Sequence, residues 1–279
     1  MNNVLSVDVE DYFHVAALAR TIKVEDWPQI SPRVVENTRR LLDLFDRHGV
    51  KATHFVLGWV AERFPDLVRE IDSRGHEIAS HGYSHQLVYD QTPELFFDET
   101  ARSKEILENI LGKEVVGYRA ASYSITNKSL WALDILHDLG FKYDSSIFPI
   151  RHDRYGIPDA EPLPHKLKTP KGNDIVEFPL TTSNIFGIKV PAAGGGYFRL
   201  YPYAFSKYLL SKVQRNNKPI VFYLHPWEID HEQPKVKASA LSTFRHYNNL
   251  HKCEQRLENL LEDFSFATMS EVLKSQNLL

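Results

Sequence analysis

The stretch "VLSVDVEDYF" (residues 4–13) joins an apolar, strand-like run to three carboxylates, Asp8, Glu10 and Asp11. Like charges at this spacing repel one another, so their crowding needs a chemical reason. Side chains alternate along a strand, which puts Asp8 and Glu10 on one face and Asp11 on the other. The stretch therefore predicts a first strand that ends in a site where carboxylates are used.

Downstream, helical and strand-like patterns alternate along the chain. Residues 31–49 have the pattern of a helix capped by Ser31 and ended by Gly49, and residues 59–75 that of a helical segment divided at Pro65. About eight strands alternating with helices indicate a parallel α/β fold. No glycine-rich phosphate loop follows the first strand, so a distorted (β/α) barrel of about seven to eight strands is favoured over an open dinucleotide-binding sheet.

We expect one domain over residues 1–279. The strand–helix rhythm is interrupted at residues 149–200, which hold many of the 15 prolines and the triplet "GGG". Loops of this length are uncommon unless they carry a function, so this segment is interpreted as a long insertion containing one or two hairpins. Residues 226–279 then form a C-terminal extension.

Composition excludes several classes of protein. The net charge is −3 without a basic block, which argues against nucleic acid as a partner, and no apolar run approaches the ~20 residues that span a bilayer. The single cysteine, Cys253, excludes an intramolecular disulfide framework. With no secretory signal recognisable before the first strand, we expect a cytoplasmic protein without stable membrane insertion; an oligomer is left open.

Polar residues follow the ends of several predicted strands. Besides the first carboxylates these are His81, Arg119, Asp144 and His225. In α/β barrels the carboxyl ends of the strands form the active site, so we expect these groups to converge on one rim. Trp227 follows in the same loop as His225 and suits packing and sugar stacking equally well, and Arg199, beside the glycine triplet, is expected to be a surface residue.

The segment "SHGYSH" (residues 80–85) carries His81 and His85 four positions apart. Two histidines and one carboxylate are a common ligand set of hydrolytic zinc sites. With 13 histidines in the chain, a chance pair at this spacing is not rare. The carboxylates at another strand end make a site for Zn²⁺, or another divalent transition metal, the favoured interpretation.

Taken together, these residues resemble the polysaccharide deacetylases (carbohydrate esterase family 4, the NodB homology domain). The resemblance covers residues 4–225 and is most specific at "HGYSH", with Gly82 where Ser or Thr is usual. It implies a distorted barrel, a metal held by one carboxylate and two histidines, and hydrolysis of acetyl groups on glycans. The segments "SVDVEDYFHV", "GGGYFRLYPY" and "FYLHPWEID" resemble a branch found in exopolysaccharide and O-antigen gene clusters.

The sequence departs from that family pattern at three motifs. The usual adjacent aspartates are replaced by Asp8, Glu10 and Asp11, so the metal ligand is Glu10, which we favour, or Asp11. The third motif lacks its proline, which leaves the oxyanion-binding N–H open between Ser122 and Tyr123. The fourth lacks its second aspartate, so either Asp144 or another carboxylate partners His225.

The resemblance implies metal-assisted hydrolysis of an acetamide on a polysaccharide or a lipid-linked intermediate. Asp8, oriented by Arg119, is the expected general base and His225 the general acid. The residues expected to bind the acetylated glycan are Ser122, Tyr123, Asp144, Phe148, Tyr197 and Trp227. Two other hypotheses are a non-catalytic glycan-binding member of the fold and a cyclic-amide hydrolase resembling allantoinase; the intact His81/His85 pair argues against the latter.

Overall fold

The computed structural model describes residues 3–216 and 218–279. Its strands are β1 (Asn3–Val9), β2 (Thr53–Val56), β3 (Glu77–Ser80), β4 (Gly117–Tyr118), β5 (Tyr143–Asp144), β6 (His165–Lys168), β7 (Asp174–Glu177), β8 (Thr182–Ile185), β9 (Ile188–Pro191), β10 (Val221–Leu224) and β11 (Phe266–Ala267). Its α-helices are α1 (Val34–Arg47), α2 (Gly58–Arg63), α3 (Pro65–Ser73), α4 (Pro93–Leu111), α5 (Trp131–Asp138), α6 (Gly195–Leu200), α7 (Tyr203–Gln214), α8 (Ala240–Tyr247), α9 (Leu250–Asp263) and α10 (Met269–Ser275).

The main sheet has the strand order β10-β1-β2-β3-β4-β5-β7-β6, with β11 beside the start of β1. All of these neighbours are parallel except β6 and β7. β1 is buried along its whole length, as expected of a central parallel strand covered on both faces. The sheet curls into a half-barrel, so the predicted distorted (β/α) barrel is confirmed.

The gap between β7 and β10 is bridged by irregular chain. The amide of Tyr223 in β10 donates to the carbonyl of Ala193 over 2.7 Å, and the amide of Val221 donates to the Thr181 hydroxyl over 2.7 Å. Gly194 has φ of +121°, and a Cβ there would lie 2.1 Å from the Tyr223 carbonyl oxygen. This close approach requires glycine and explains one member of the "GGG" triplet.

Several predicted boundaries are confirmed. The helical segment of residues 59–75 divides into α2 and α3 at Pro65, and α1 ends just before Gly49, whose φ is +63°. Among the described α-helices, the short helices α6 and α8 were not predicted. No described helix is long and apolar enough to cross a membrane.

The segment at residues 149–200 contains two hairpins, β6–β7 and β8–β9. The first is part of the main sheet, because β7 pairs in parallel with β5. The second forms a separate two-stranded sheet. The description of residues 149–200 as an insertion and 226–279 as an extension of a single domain stays a prediction.

Candidate active site

One atom from each of Glu10, His81 and His85 lies within 4.8 Å of the others, which makes these residues a candidate metal-binding group. Glu10 comes directly after β1. His81 comes directly after β3, which is separated from β1 by β2 in the sheet. His85 has φ of +56°, in the left-handed region, and its Nε2 lies 2.7 Å from Oε2 of Glu10. The side chains of all three residues are nearly inaccessible to solvent.

The chemistry of these donors fits a divalent transition metal such as zinc. Nδ1 of His81 lies 2.8 Å from the Arg119 carbonyl oxygen, which fixes the tautomer and leaves the Nε2 lone pair free. Burial lowers the pKa of His81 to about 4, so the ring is neutral as a ligand must be. Burial alone would raise the pKa of Glu10, but the imidazoles of His85 and His225 bring it well below its ordinary value.

Asp11 is not part of this group and has another structural task. Its Oδ2 accepts the backbone N–H groups of Arg33 and Val34 over 2.6 and 2.9 Å, at the start of α1. The predicted cap, Ser31, is wrong: the N-cap position is Arg33, and a carboxylate from a distant loop binds the free amides. Asp11 therefore stabilises the start of a helix, and Glu10 is the carboxylate beside the histidines.

Asp8 lies at the carboxyl end of β1 and is held by two side chains. Nη1 of Arg119 donates to its Oδ1 over 2.7 Å, and the Tyr123 hydroxyl donates to Oδ2 over 3.3 Å. Arg119 has no solvent exposure and also donates to Ser6 and Ser145, so its guanidinium is fixed. The cation both neutralises and orients the Asp8 carboxylate, as expected from the sequence.

His225, at the end of β10, is held by a carboxylate that the sequence did not single out. Its Nδ1 lies 2.7 Å from Oε1 of Glu228, and its Nε2 lies 3.8 Å from Asp8 and 3.6 Å from Glu10. Burial opposes the charged ring, but Glu228, Glu10 and Asp8 together raise the pKa of His225 to about 9. The Nε2 proton therefore faces the two carboxylates and the cavity.

Glu228 is itself anchored by Arg199. Nε of Arg199 donates to Oε2 of Glu228 over 2.5 Å, and both side chains are almost fully buried. The other nitrogens of Arg199 donate to the carbonyls of Arg245, His246 and Asn248 at the end of α8. The expectation of a surface Arg199 was wrong, because the chain segments that bury it are far apart in sequence.

Asp144 and Phe148 do not lie where the sequence predicted. Both are fully buried, and neither lines the cavity that holds Asp8 and His225. Asp144 accepts from the Ser146 hydroxyl over 2.5 Å and neighbours Glu177, and Phe148 stacks on Tyr155. The carboxylate that contacts His225 is therefore Glu228, whereas Asp144 is buried in β5.

Ser122 and Tyr123 are consecutive residues with positive φ, +51° and +56°. Such backbone strain in non-glycine residues costs about 1–3 kcal/mol each and is concentrated at functional sites. The amide of Tyr123 donates to the Ala120 carbonyl, whereas the amide of Ser122 has no acceptor among residues 3–216 and 218–279. Of the two candidates for an oxyanion-binding N–H, only that of Ser122 is free.

These groups share a cavity of about 410 Å³. Its buried part is formed by Asp8, Glu10, His81, Tyr123, Tyr223 and Trp227, and Ser122, His85, Tyr197 and His225 also line it. Nε1 of Trp227 donates to Oε1 of Glu10 over 3.2 Å, and its ring stacks on His225. Trp227 thus positions the candidate metal ligand as well as lining the cavity.

The sequence reasoning missed Glu228, Arg199 and Tyr155. The signal for Glu228 was present: in "HPWE" (residues 225–228) an acid follows the strand-end histidine by three positions. A short 3-10 turn, Pro226–Ile229, brings that acid back onto the imidazole. Tyr155 and Arg199 have no such local signal, because they come from the long segment at residues 149–200.

Two family models match the chain. Residues 21–143 match the family described as polysaccharide deacetylase. The chain carries a polysaccharide deacetylase domain. Residues 145–274 match a domain of unknown function (DUF3473), and this range contains His225, Glu228 and Arg199. Asp8 and Glu10 precede both ranges, so the candidate site is assembled from three stretches of the chain.

Curated relatives agree with this family. A peptidoglycan deacetylase of Helicobacter pylori is 34% identical over 108 residues, which is 39% of this chain and 36% of the relative. A peptidoglycan-N-acetylglucosamine deacetylase of Bacillus cereus is 37% identical over 78 residues, which is 28% of each chain. The deacetylase domain described here therefore matches about a third of each relative's own length.

Similarity to solved structures concerns the fold. A polysaccharide deacetylase candidate from Mycobacterium smegmatis has a TM-score of 0.62 at 20% identity, covering 100% of this chain and 93% of that one. An allantoinase has a TM-score of 0.60 at 16% identity, covering 97% of this chain and 88% of that one. The same barrel thus carries more than one chemistry, and the site decides the function.

Proposed function

We propose that this chain is a metal-dependent hydrolase that removes acetyl groups from N-acetylated sugars of a glycan. The observation that carries the proposal is the convergence of Glu10, His81 and His85 with Asp8 and His225 in one cavity. This arrangement supports the proposal, because it would give one side of the barrel a metal-ligand set, a base and an acid. The curated relatives, named as a peptidoglycan deacetylase and a peptidoglycan-N-acetylglucosamine deacetylase, support the same reaction.

A divalent metal would be held by Glu10, His81 and His85. When bound, it polarises the acetyl carbonyl and lowers the pKa of water. The protein's own groups provide the proton transfers. Asp8, oriented by Arg119, accepts the proton of the attacking water.

His225 donates the proton that the leaving amine requires, because an amide anion is a very poor leaving group. Glu228 holds Nδ1 and so directs the Nε2 proton into the cavity. The free N–H of Ser122 is the protein donor available to the oxyanion that forms on the acetyl oxygen. Tyr123, Tyr155, Tyr197 and Trp227 line the cavity and offer ring faces to a sugar.

The first alternative is a glycan-binding protein without catalysis, suggested by the altered third and fourth motifs. Two observations support catalysis over this alternative: Glu228 contacts His225, where the usual acid is missing, and Glu10, His81 and His85 lie close together. A cyclic-amide hydrolase is disfavoured by the same histidine pair. The polymeric or lipid-linked nature of the substrate, a place in exopolysaccharide assembly and a cytoplasmic location stay predictions.

Metal content measured together with acetate release tests the proposal. The purified protein is expected to contain close to one divalent transition metal per chain and to release acetate from N-acetylated oligosaccharides. The double substitution His81→Ala/His85→Ala should remove both the metal and the activity. A wild-type protein that binds the glycan, contains no metal and releases no acetate would favour the binding function instead.

A further inference from the structure

Two arginines without acidic partners lie at the mouth of the cavity. Arg154 belongs to the loop after β5 and Arg245 to α8, and both line the cavity with exposed side chains. Within the described ranges 3–216 and 218–279, no carboxylate lies within 4.0 Å of either guanidinium. His152 lies near both of them, and Asp153 is 3.0 Å from that histidine. The mouth therefore offers two free guanidinium groups, and the carboxylates that line the cavity, Asp8 and Glu10, are buried in it.

The same mouth carries exposed apolar side chains. Leu200, Leu241 and Phe244 line the cavity and are 46, 58 and 53% exposed. Leu241 and Phe244 are three residues apart on α8, so they share a face of that helix. Clustered large apolar residues at the mouth of a polar cavity mark a binding surface more often than isolated ones do.

The fold fixes these groups relative to the catalytic residues. Arg199, in α6, is bonded both to Glu228 and to the carbonyls of Arg245, His246 and Asn248. This buried arginine joins the end of α8 to the carboxylate that holds His225. The backbone at the end of α8 is therefore connected to His225 through Arg199 and Glu228.

We propose that the cavity selects a glycan joined through a phosphate to an apolar chain. The inference rests on the proposed function and names its substrate class. A planar guanidinium group donates two parallel hydrogen bonds to phosphate oxygens, and Arg154 and Arg245 both line the mouth near His152. A cavity of about 410 Å³ is in the range of small-ligand pockets and accommodates the sugar. The apolar chain of the ligand then lies on Leu200, Leu241 and Phe244.

Four compounds separate the contributions of charge and chain. They are the methyl and decyl glycosides of N-acetylglucosamine and the methyl and decyl diesters of N-acetylglucosamine 1-phosphate, used below their micelle concentrations. Acetate release gives kcat/KM for each with the metal-loaded enzyme, and calorimetry on the Asp8→Asn variant gives each affinity. We expect the decyl phosphodiester to have the highest kcat/KM and affinity. The decyl glycoside and the methyl phosphodiester should each exceed the methyl glycoside by a smaller factor.

Paired variants identify the residues responsible. Arg154→Ala/Arg245→Ala should lower kcat/KM for both phosphodiesters about tenfold or more and leave both glycosides unchanged, because hydrogen bonds to charged groups contribute about that much. Leu241→Ser/Phe244→Ser should affect only the two decyl compounds. The matched controls are Arg69→Ala/Arg215→Ala and Phe186→Ser/Ile188→Ser, exposed residues that do not line the cavity.

The results separate this proposal from the proposed function. Equal kcat/KM and affinity for all four compounds would overturn the substrate class while leaving the deacetylase intact. If the phosphate raises kcat/KM and affinity but the decyl group does not, the proposal is also overturned, and a soluble anionic glycan is indicated. If no compound releases acetate, the deacetylase assignment fails for this sugar, and the order of affinities still decides the ligand class; absence of binding to the decyl phosphodiester overturns the proposal.

Discussion

Oε1 of Glu228 lies 2.7 Å from Nδ1 of His225, and the other oxygen of the same carboxylate lies 2.5 Å from Nε of Arg199. The three side chains form a buried row that ends at the cavity. The row holds the proposed proton donor, His225, with a carboxylate only three residues away in sequence. Because residues 145–274 supply the whole row, the range matched to a domain of unknown function completes the candidate active site.

Glu228→Gln tests this support. Replacing the carboxylate by a neutral amide removes the charge that favours the protonated ring, and the single amide oxygen cannot accept from both His225 and Arg199. We expect kcat to fall about 10- to 100-fold with little change in KM, since general acid catalysis contributes about 10²–10⁴-fold in all. Metal content should be unchanged. The exposed Glu232→Gln is the matched control, and an unchanged kcat in Glu228→Gln would contradict the assignment.

Asp8→Asn tests the general base. The amide cannot accept the proton of water, so acetate release should fall at least 10²-fold while the metal stays bound. The change also leaves the buried Arg119 without its counter-charge, and thermal unfolding should report a loss of stability of about 3 kcal/mol. Asp98→Asn, at an exposed position, controls for the substitution itself. Loss of metal in Asp8→Asn would instead make Asp8 a ligand.

Glu10→Gln and Asp11→Ala separate two neighbouring carboxylates. Glu10→Gln removes an anionic ligand beside His85, so we expect metal loss by elemental analysis. Asp11→Ala should keep the metal and lower the free energy of unfolding by about 1–2 kcal/mol, because two amides at the start of α1 lose their acceptor. The reverse pattern would show that Asp11 is the ligand.

The buried carboxyls of Asp144 and Glu177 predict a pH dependence of stability. Burial raises the pKa of Asp144 to about 6, and burial together with the charge of Asp144 raises the pKa of Glu177 well above its ordinary value. The folded state therefore binds more protons than the unfolded state. The contribution of the pair to the free energy of unfolding is complete below about pH 4 and is lost as the pH rises through 6 and above. The loss is up to about 1.4 kcal/mol per pH unit for each proton.

Glu177→Gln removes one of these titrating groups. Compared with the wild type, its free energy of unfolding should fall less steeply above about pH 4, as measured by urea unfolding at a series of pH values. The exposed Glu105→Gln should keep the wild-type slope. Identical slopes for Glu177→Gln and the wild type would mean that Glu177 does not retain a proton in the folded state.

The sequence alone determined the elements and the chemistry at their ends. The apolar patterns that indicate strands and helices are local in sequence. They therefore predicted the strands that end near Asp8, His81 and His225, and the break at Pro65. Parallel strands bring their carboxyl ends to one edge, which is why residues from β1, β3 and β10 could be expected to meet. The expectation of Glu10 instead of Asp11 as the ligand also followed from side-chain alternation along β1.

Only the tertiary structure decided which neighbours these residues have. Asp11 contacts α1 more than 20 residues away, and Asp144 turns to Glu177 instead of His225. The three carboxylates of "VLSVDVEDYF" are tolerated because each has a different partner: Arg119 for Asp8, the histidines for Glu10 and helix amides for Asp11. A buried charge needs a specific partner, and such partners come from chain segments whose approach no local pattern encodes.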